Sequence, residues 1–238
     1  LTGTHADGNS YYMTLSGTSQ ATAIASGVAG LTREFIREQA GVSTPSSSLV
    51  KAAMINGARD LGAADIPNAA EGWGEVDLER TVLPMDGSTA LDTFFDDRKV
   101  LSPGFGLLYS FSIDPSHGMD LTLVWTDEAG SANAAQSEAR LVNNLDLVLV
   151  DPNGNEWLGN DFAQGFSTTG GTADDVNNVE RIRVAPGTFS SGSGNWVVKV
   201  LHRGGSDQDF ALVMSAVATP TPQPDLAVFD GSILASSE

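Results

Sequence analysis

The spacing of apolar residues changes once along this chain, near Ser88, and that change constrains the fold more than any other feature. Before it, Ala21, Ile24, Ala25, Val28, Leu31, Phe35 and Ile36 recur every three or four positions, the period of a helix burying one face. After it the period is two: segments 107–113, 121–125, 145–150, 179–184, 196–200 and 210–214 alternate as strands do. The two patterns demand different packing, so the chain divides into a helical part and an all-β part. With 238 residues, each is long enough to bury a core of its own.

The helical run is crowded with small residues: Ala21, Ala23, Ala25, Ser26, Gly27, Ala29 and Gly30. Glycine is costly inside a helix, so this run predicts a central helix approached closely by neighbouring backbone. Pro45 followed by Ser46, Ser47 and Ser48 predicts the capped start of a second helix. It runs through Leu49, Ala52, Ala53 and Ile55 and stops near Asn56-Gly57. Gly72-Trp73-Gly74 predicts a tight turn, and Asp151-Pro152-Asn153-Gly154 a turn between hairpin strands. Short strands punctuated by turns predict a sandwich or jelly roll over 88–218. Residues 219–224, Thr-Pro-Thr-Pro-Gln-Pro, read as a stiff linker. Residues 225–238 read either as the first strand of a truncated further domain or as a tail.

Charge narrows the partners. Thirty acidic residues against 12 basic give a net charge of −18, a surface that repels nucleic acid. It suits a solvated acidic exterior, or carboxylates that partly serve a cation. There are no cysteines and hence no disulfides or thiol chemistry. No run approaches the roughly 18 apolar residues of a membrane span. The opening at Leu1, without Met or a signal peptide, is expected to be internal to a longer product.

The segment from Ser16 to Gly30 carries the chemistry. Ser19 sits where an irregular Gly-containing stretch enters the small-residue helix, beside unpaired backbone N–H groups at the positive helix end. An anion developing there would be stabilised, as acyl transfer requires. Taken alone, a serine in this place reads as an ordinary N-cap. Gly17-Thr-Ser-Gln-Ala-Thr-Ala-Ile-Ala-Ser-Gly27, however, closely resembles the subtilisin-family pattern Gly-Thr-Ser-Met-Ala-Thr-Pro-x-Val-Ala-Gly, departing from it at Gln20, Ala23, Ala25 and Ser26. Leu49-Val-Lys-Ala-Ala-Met-Ile-Asn-Gly-Ala58 resembles the family's next helix, and Gly72-Trp-Gly-Glu-Val76 the turn that closes its catalytic domain.

This resemblance implies that residues 1–87 are the C-terminal part of a subtilisin-like α/β catalytic domain from a secreted, extracellular serine endopeptidase. Ser19 would be the nucleophile that forms the acyl-enzyme with a polypeptide substrate. The family's catalytic aspartate and histidine and its oxyanion-hole asparagine precede the serine in the chain. The upstream remainder of the domain is then a required partner, and the chain alone is expected to hydrolyse nothing. Gly3-Thr4-His5, with Asp7, echoes the family's histidine motif, but His5 lies too near Ser19 for this fold and reads as a surface loop. His117 and His202 read as structural or exposed. No Gly-x-Ser-x-Gly elbow occurs.

In the β part, acidic and amide side chains gather at strand ends: Asp127-Glu128, Asn143-Asn144-Leu145-Asp146, Asn160-Asp161, and Asp174-Asp175 with Asn177, Asn178 and Glu180. Alternation puts Asn144 and Asp146 on one face with Leu145 and Leu147 opposite. The residues alone allow two readings, Asx turns or an all-oxygen calcium site. Val124-Trp-Thr-Asp127, Leu141-Val-Asn-Asn-Leu-Asp-Leu147, Gly159-Asn-Asp-Phe162, Asn177-Asn-Val-Glu180 and Gly194-Asn-Trp-Val-Val-Lys-Val200 are similar to the jelly-roll domain that follows the catalytic domain in certain alkaline subtilisin-like proteases. That likeness implies structural Ca2+, with Asp127, Asn144, Asp146, Asp161 and Asp175 as ligands. The rival expectation is a non-catalytic, calcium-dependent jelly-roll binding module attached to a degenerate protease domain. Trp125, Trp157 and Trp196 would be candidates for its sugar platform, although Trp125 and Trp196 fall at core positions.

Overall fold

A computed structural model of the chain describes residues 2–3, 13–14, 16–62, 65–133, 140–188, 194–220 and 225–228. His5 and Asp7 lie outside the described residues. Strand β1 (Thr2–Gly3) pairs with β2 (Met13–Thr14), and three helices follow: α1 (Thr18–Gln39), α2 (Ser47–Gly57) and α3 (Leu78–Val82). Helix α1 starts where it does because Gly17 takes φ 154°, a conformation that side chains resist. Helix α2 starts at the expected serines, with the Ser46 hydroxyl accepting from the Leu49 amide at 3.0 Å. A hairpin of β3 (Met85–Asp86) and β4 (Thr89–Ala90) then leads into the β part.

That part is built from β5 (Asp92–Leu101), β6 (Phe105–Ile113), β7 (Met119–Trp125), β8 (Asn144–Val150), β9 (Glu156–Ala163), β10 (Phe166–Thr169), β11 (Val179–Val184), β12 (Gly194–Gly204), β13 (Gln208–Ala216), β14 (Ala218–Pro220) and β15 (Asp225–Val228). The larger sheet runs β10-β9-β8-β12-β6-β14, with β15 also on β6; the smaller runs β11-β7-β13-β5. Every pairing is antiparallel. The two sheets share one core. Leu145, Leu147 and Leu149 of β8 and Trp196, Val198 and Val200 of β12 pack in it with Leu121, Leu123 and Trp125 of β7 and Phe210, Leu212 and Met214 of β13. Each such side chain contributes about 1.5–3 kcal/mol by leaving water. The segments read as linker and tail supply β14 and β15, which lie along the edge of the larger sheet on β6.

Among the described residues, the helical part does not bury a core of its own. A second cluster unites Ile36 of α1 and Leu49, Ala52, Ala53 and Ile55 of α2 with Val124, Val179, Ala211 and Val213 on the outer face of the smaller sheet. That sheet is therefore covered on both faces, which is why Ala211-Leu-Val-Met214 is continuously apolar. Polar contacts fix α2 from the β part as well. At its N-terminus, the Ser46 amide and hydroxyl donate to Asp97 at 3.0 and 2.5 Å. In its last turn, the Asn56 side-chain amide donates to the Ser215 hydroxyl at 2.9 Å and accepts from Thr122 at 3.0 Å. At its C-terminus, buried Arg181 donates to the carbonyls of Asn56 and Ala58 at 3.0 and 3.3 Å. Acid at the amino end and guanidinium at the carboxyl end both match the helix dipole.

The small-residue face of α1 departs from expectation. Ala21, Ala23, Ile24, Gly27, Gly30 and Leu31 are exposed, and no described atom lies near where a side chain on Gly27 or Gly30 would sit. The close backbone approach those residues predict is made by none of the described chain.

Candidate active site

Ser19 is the second residue of α1 and is exposed. The helix's first backbone bond runs from the Ala21 amide to the Gly17 carbonyl at 3.2 Å, so the N–H groups of residues 18, 19 and 20 precede the ladder. Gly17 offers no side-chain cap, and no acid stands in the first turn. Neither the cap position nor the first turn therefore neutralises the positive end of this 22-residue helix around Ser19. Among the described residues, nothing hydrogen-bonds the Ser19 hydroxyl. Thr22 and Ser26, by contrast, turn back onto the carbonyls of Thr18 and Thr22 at 2.7 and 2.9 Å. A side chain on Gly17 would meet Gln20, and its backbone conformation is one that L side chains rarely adopt. An uncommitted hydroxyl beside unpaired N–H groups can serve attack on a carbonyl whose oxygen becomes negative.

The described histidines are committed elsewhere. His117 faces Asp86 at 3.1 Å, tying the 114–118 turn to β3. His202 is buried in β12 and donates from Nε2 to the Ser206 carbonyl at 2.7 Å. Gln20 and Ala23 continue α1 without a break, so the helix entry forms without the proline that the family pattern has at that place.

The five expected cation ligands do not all meet. Among the described residues, no three His, Cys, Asp or Glu side chains converge closely enough to hold a metal ion as they stand. Asp127 accepts from the amides of Val142 and Asn143 at 2.7 and 2.8 Å, the loop-capping role open to any Asx residue. Asp161 accepts from the Thr168 hydroxyl at 3.1 Å and leans against Gly171. Asn144 and Asp146 share the outer face of β8, opposite Leu145 and Leu147 in the core. Asp146 is buried and paired with Arg203; burial pushes its carboxyl up, and Asp174 and Asp175 nearby push the same way.

Sequence reasoning did not single out Glu180. It is fully buried, and burial, then Asp146 and Asp174, hold its carboxyl well above the usual range. One oxygen accepts from the Leu147 amide, and Gly159 is required opposite, since any side chain there would collide with the carboxylate. Asn144 Oδ1, Asp146 Oδ1 and Glu180 Oε1 are buried with no hydrogen-bond partner. Asn144, Asp146 and Glu180, with Asp174 and Asp175 acting on Asp146, form one acidic group in this part of the fold. Its one sequence signal was an acid inside the apolar alternation of 179–184. Trp125, Trp157 and Trp196 are all buried, so none offers a sugar-stacking face.

Between α1, α2 and the 73–76 turn lies an apolar groove of about 650 Å³, lined by Gly30, Arg33, Val50, Met54, Trp73 and Val76. Ile24 and Leu31 of α1 are exposed as well. No helix of the described residues is long and apolar enough to cross a membrane.

Comparison with known proteins bears on residues 1–74, which match the sequence profile of the Subtilase family. A Dictyostelium discoideum protein, the serine protease/ABC transporter B family protein tagA, is 33% identical over 193 residues. The match takes in 74% of this chain, more than residues 1–87 could supply, so the similarity runs on into the β part. The chain spans only 11% of that relative's length. In its first 74 residues, what this chain is similar to is the subtilase family of serine peptidases.

Proposed function

We propose that the chain is the C-terminal part of a serine endopeptidase catalytic domain, with Ser19 as nucleophile, joined to a jelly-roll domain that holds it. The observation that carries this reading is the exposed, unpartnered Ser19 hydroxyl at the uncapped head of α1, within the stretch that matches the subtilase profile. Ser19 Oγ would attack the scissile carbonyl of a polypeptide and yield its proton to a base, with the leaving amine reprotonated as the peptide bond breaks. The N–H groups at the start of α1 would receive the developing oxyanion.

The base and its orienting acid would come from the upstream remainder of the domain. The exposed small-residue face of α1 and the apolar groove beside it are the surface that remainder would cover. Alone, the chain would be inactive.

The orphaned oxygens of Asn144, Asp146 and Glu180 are hard donors of the kind calcium takes. With Asp174 or Asp175 they would hold a structural Ca2+, whose charge would compensate the buried carboxylates. We place the protein outside the cell, where calcium is abundant enough to fill such a site. The test is peptide hydrolysis by the protein carrying its upstream region. Ser19→Ala should lower kcat about 10⁴-fold or more. Undiminished hydrolysis by that variant would refute the assignment.

A further inference from the structure

At the seam between α3, the β3–β4 hairpin and the smaller sheet lies a second cleft of about 200 Å³, with Asn56, Arg80, Asp86, Asp120, Arg183 and Ser215 in its walls. The chain carries 12 basic residues against 30 acidic ones, yet two arginines, Arg80 and Arg183, line this cleft, and a third, Arg181, lies buried close to both. Burial pushes the Arg181 guanidinium down to about 10, with Arg183 and Arg80 repelling it as well.

Their compensation is incomplete. A single oxygen of Asp120 accepts from both Arg181 and Arg183, at 3.0 Å each. Asp60 stands 3.6 Å from Arg183, while Asp86 is engaged by His117 and the Gly118 amide at 3.1 Å each. Among the described residues nothing pairs with the Arg80 guanidinium. Arg181 is fully buried, and its Nε and Nη1 have no partner. Donors left unfilled in a dry site are costly, and buried charges ordinarily find partners. Phe166 lies 5.3 Å from the Arg183 guanidinium and fixes it against the wall.

We propose that this seam cleft binds a small oxyanion, a phosphate or a carboxylate, gripped by Arg80, the lining guanidinium that no carboxylate among the described residues pairs. Guanidinium forks match such oxygens in pairs. At about 30 Å³ per water the cleft has the volume of roughly six waters, enough for a tetrahedral anion that keeps part of its hydration. The site is independent of Ser19 and stands whether or not the chain is part of a peptidase.

The experiment uses the chain as it is. Its thermal unfolding is followed in sodium phosphate, sodium succinate and sodium chloride at matched ionic strength, with titration calorimetry for phosphate and succinate. Because phosphate stabilises many proteins non-specifically, saturation is the decisive feature. A saturable rise in Tm with either oxyanion is expected, and the one that saturates at lower concentration identifies the class. Arg80→Gln, which removes no described contact, should weaken binding at least tenfold. Arg33→Gln, in the other groove, should leave it unchanged. Non-saturating effects, or equal binding by Arg80→Gln, would mean that water alone fills the cleft and would overturn the proposal.

Discussion

Replacing Arg181 with methionine tests whether the β part holds α2 by its ends. The Arg181 guanidinium lies fully inside the protein and donates to two carbonyls at the carboxyl end of α2 and to Asp120. Methionine keeps much of the volume but none of the donors, leaving two buried carbonyls unpaired at about 1–3 kcal/mol each. Asp120 keeps Arg183, so no carboxylate is stranded. Relief of the guanidinium's own desolvation offsets part of the loss, for a net destabilisation of about 2–3 kcal/mol. At about 2–4 °C per kcal/mol for a chain of this size, Tm should fall by about 5–10 °C. Urea denaturation gives the free energy, and hydrogen exchange should show the amides of 53–58 opening first. A variant as stable as the parent, or more stable, would refute the argument. That is how a buried charge behaves when its desolvation outweighs its contacts.

Ser46→Ala removes the cap of α2 and the hydroxyl's bond to Asp97, leaving the backbone amide's, and should cost about 1–2 kcal/mol by denaturant titration. Burial raises the Asp96 carboxyl above its usual range, against the hydrogen bond from Tyr109. With the folded value above the unfolded one, stability is full below about pH 4 and declines as pH climbs through the folded value. Asp96→Asn should remove that decline, which denaturation curves between pH 3.5 and 7 would reveal. For the cation site, calcium should raise the Tm of the chain and EDTA should reverse the rise. Glu180→Gln should lose most of the effect, and an unresponsive parent chain would dispose of the site.

Both long helices and six of the strands were legible from the spacing of their apolar residues and from capping. Strand β5 was not. Asp92-Thr-Phe-Phe-Asp-Asp-Arg-Lys carries too many charges to read as a strand, and the partners that justify two of them, Tyr109 for Asp96 and Ser46 for Asp97, are distant in sequence. Alternation announced β11 but could not say what covers each of its faces, so Glu180 was noted only within the acidic cluster, and the burial of Glu180 and Arg181 went unread. The acidic cluster was visible as composition. Its sorting into a loop cap at Asp127, a cross-strand contact at Asp161 and a buried group around Asp146 depends on which loops and strands meet. The place of Ser19 at the head of α1 was legible from local rules, a glycine that breaks the helix path and then a helix, whereas its reading as a nucleophile came from the family resemblance.

The most direct test of the nucleophile assignment is the site of covalent modification. The protein with its upstream region is treated with a fluorophosphonate, digested with trypsin, and the peptide ending at Arg33 is examined by mass spectrometry. A single phosphonyl adduct on Ser19, absent after prior unfolding, is the expected result. Active protein that carries the adduct on another residue, with Ser19 unmodified, would contradict it.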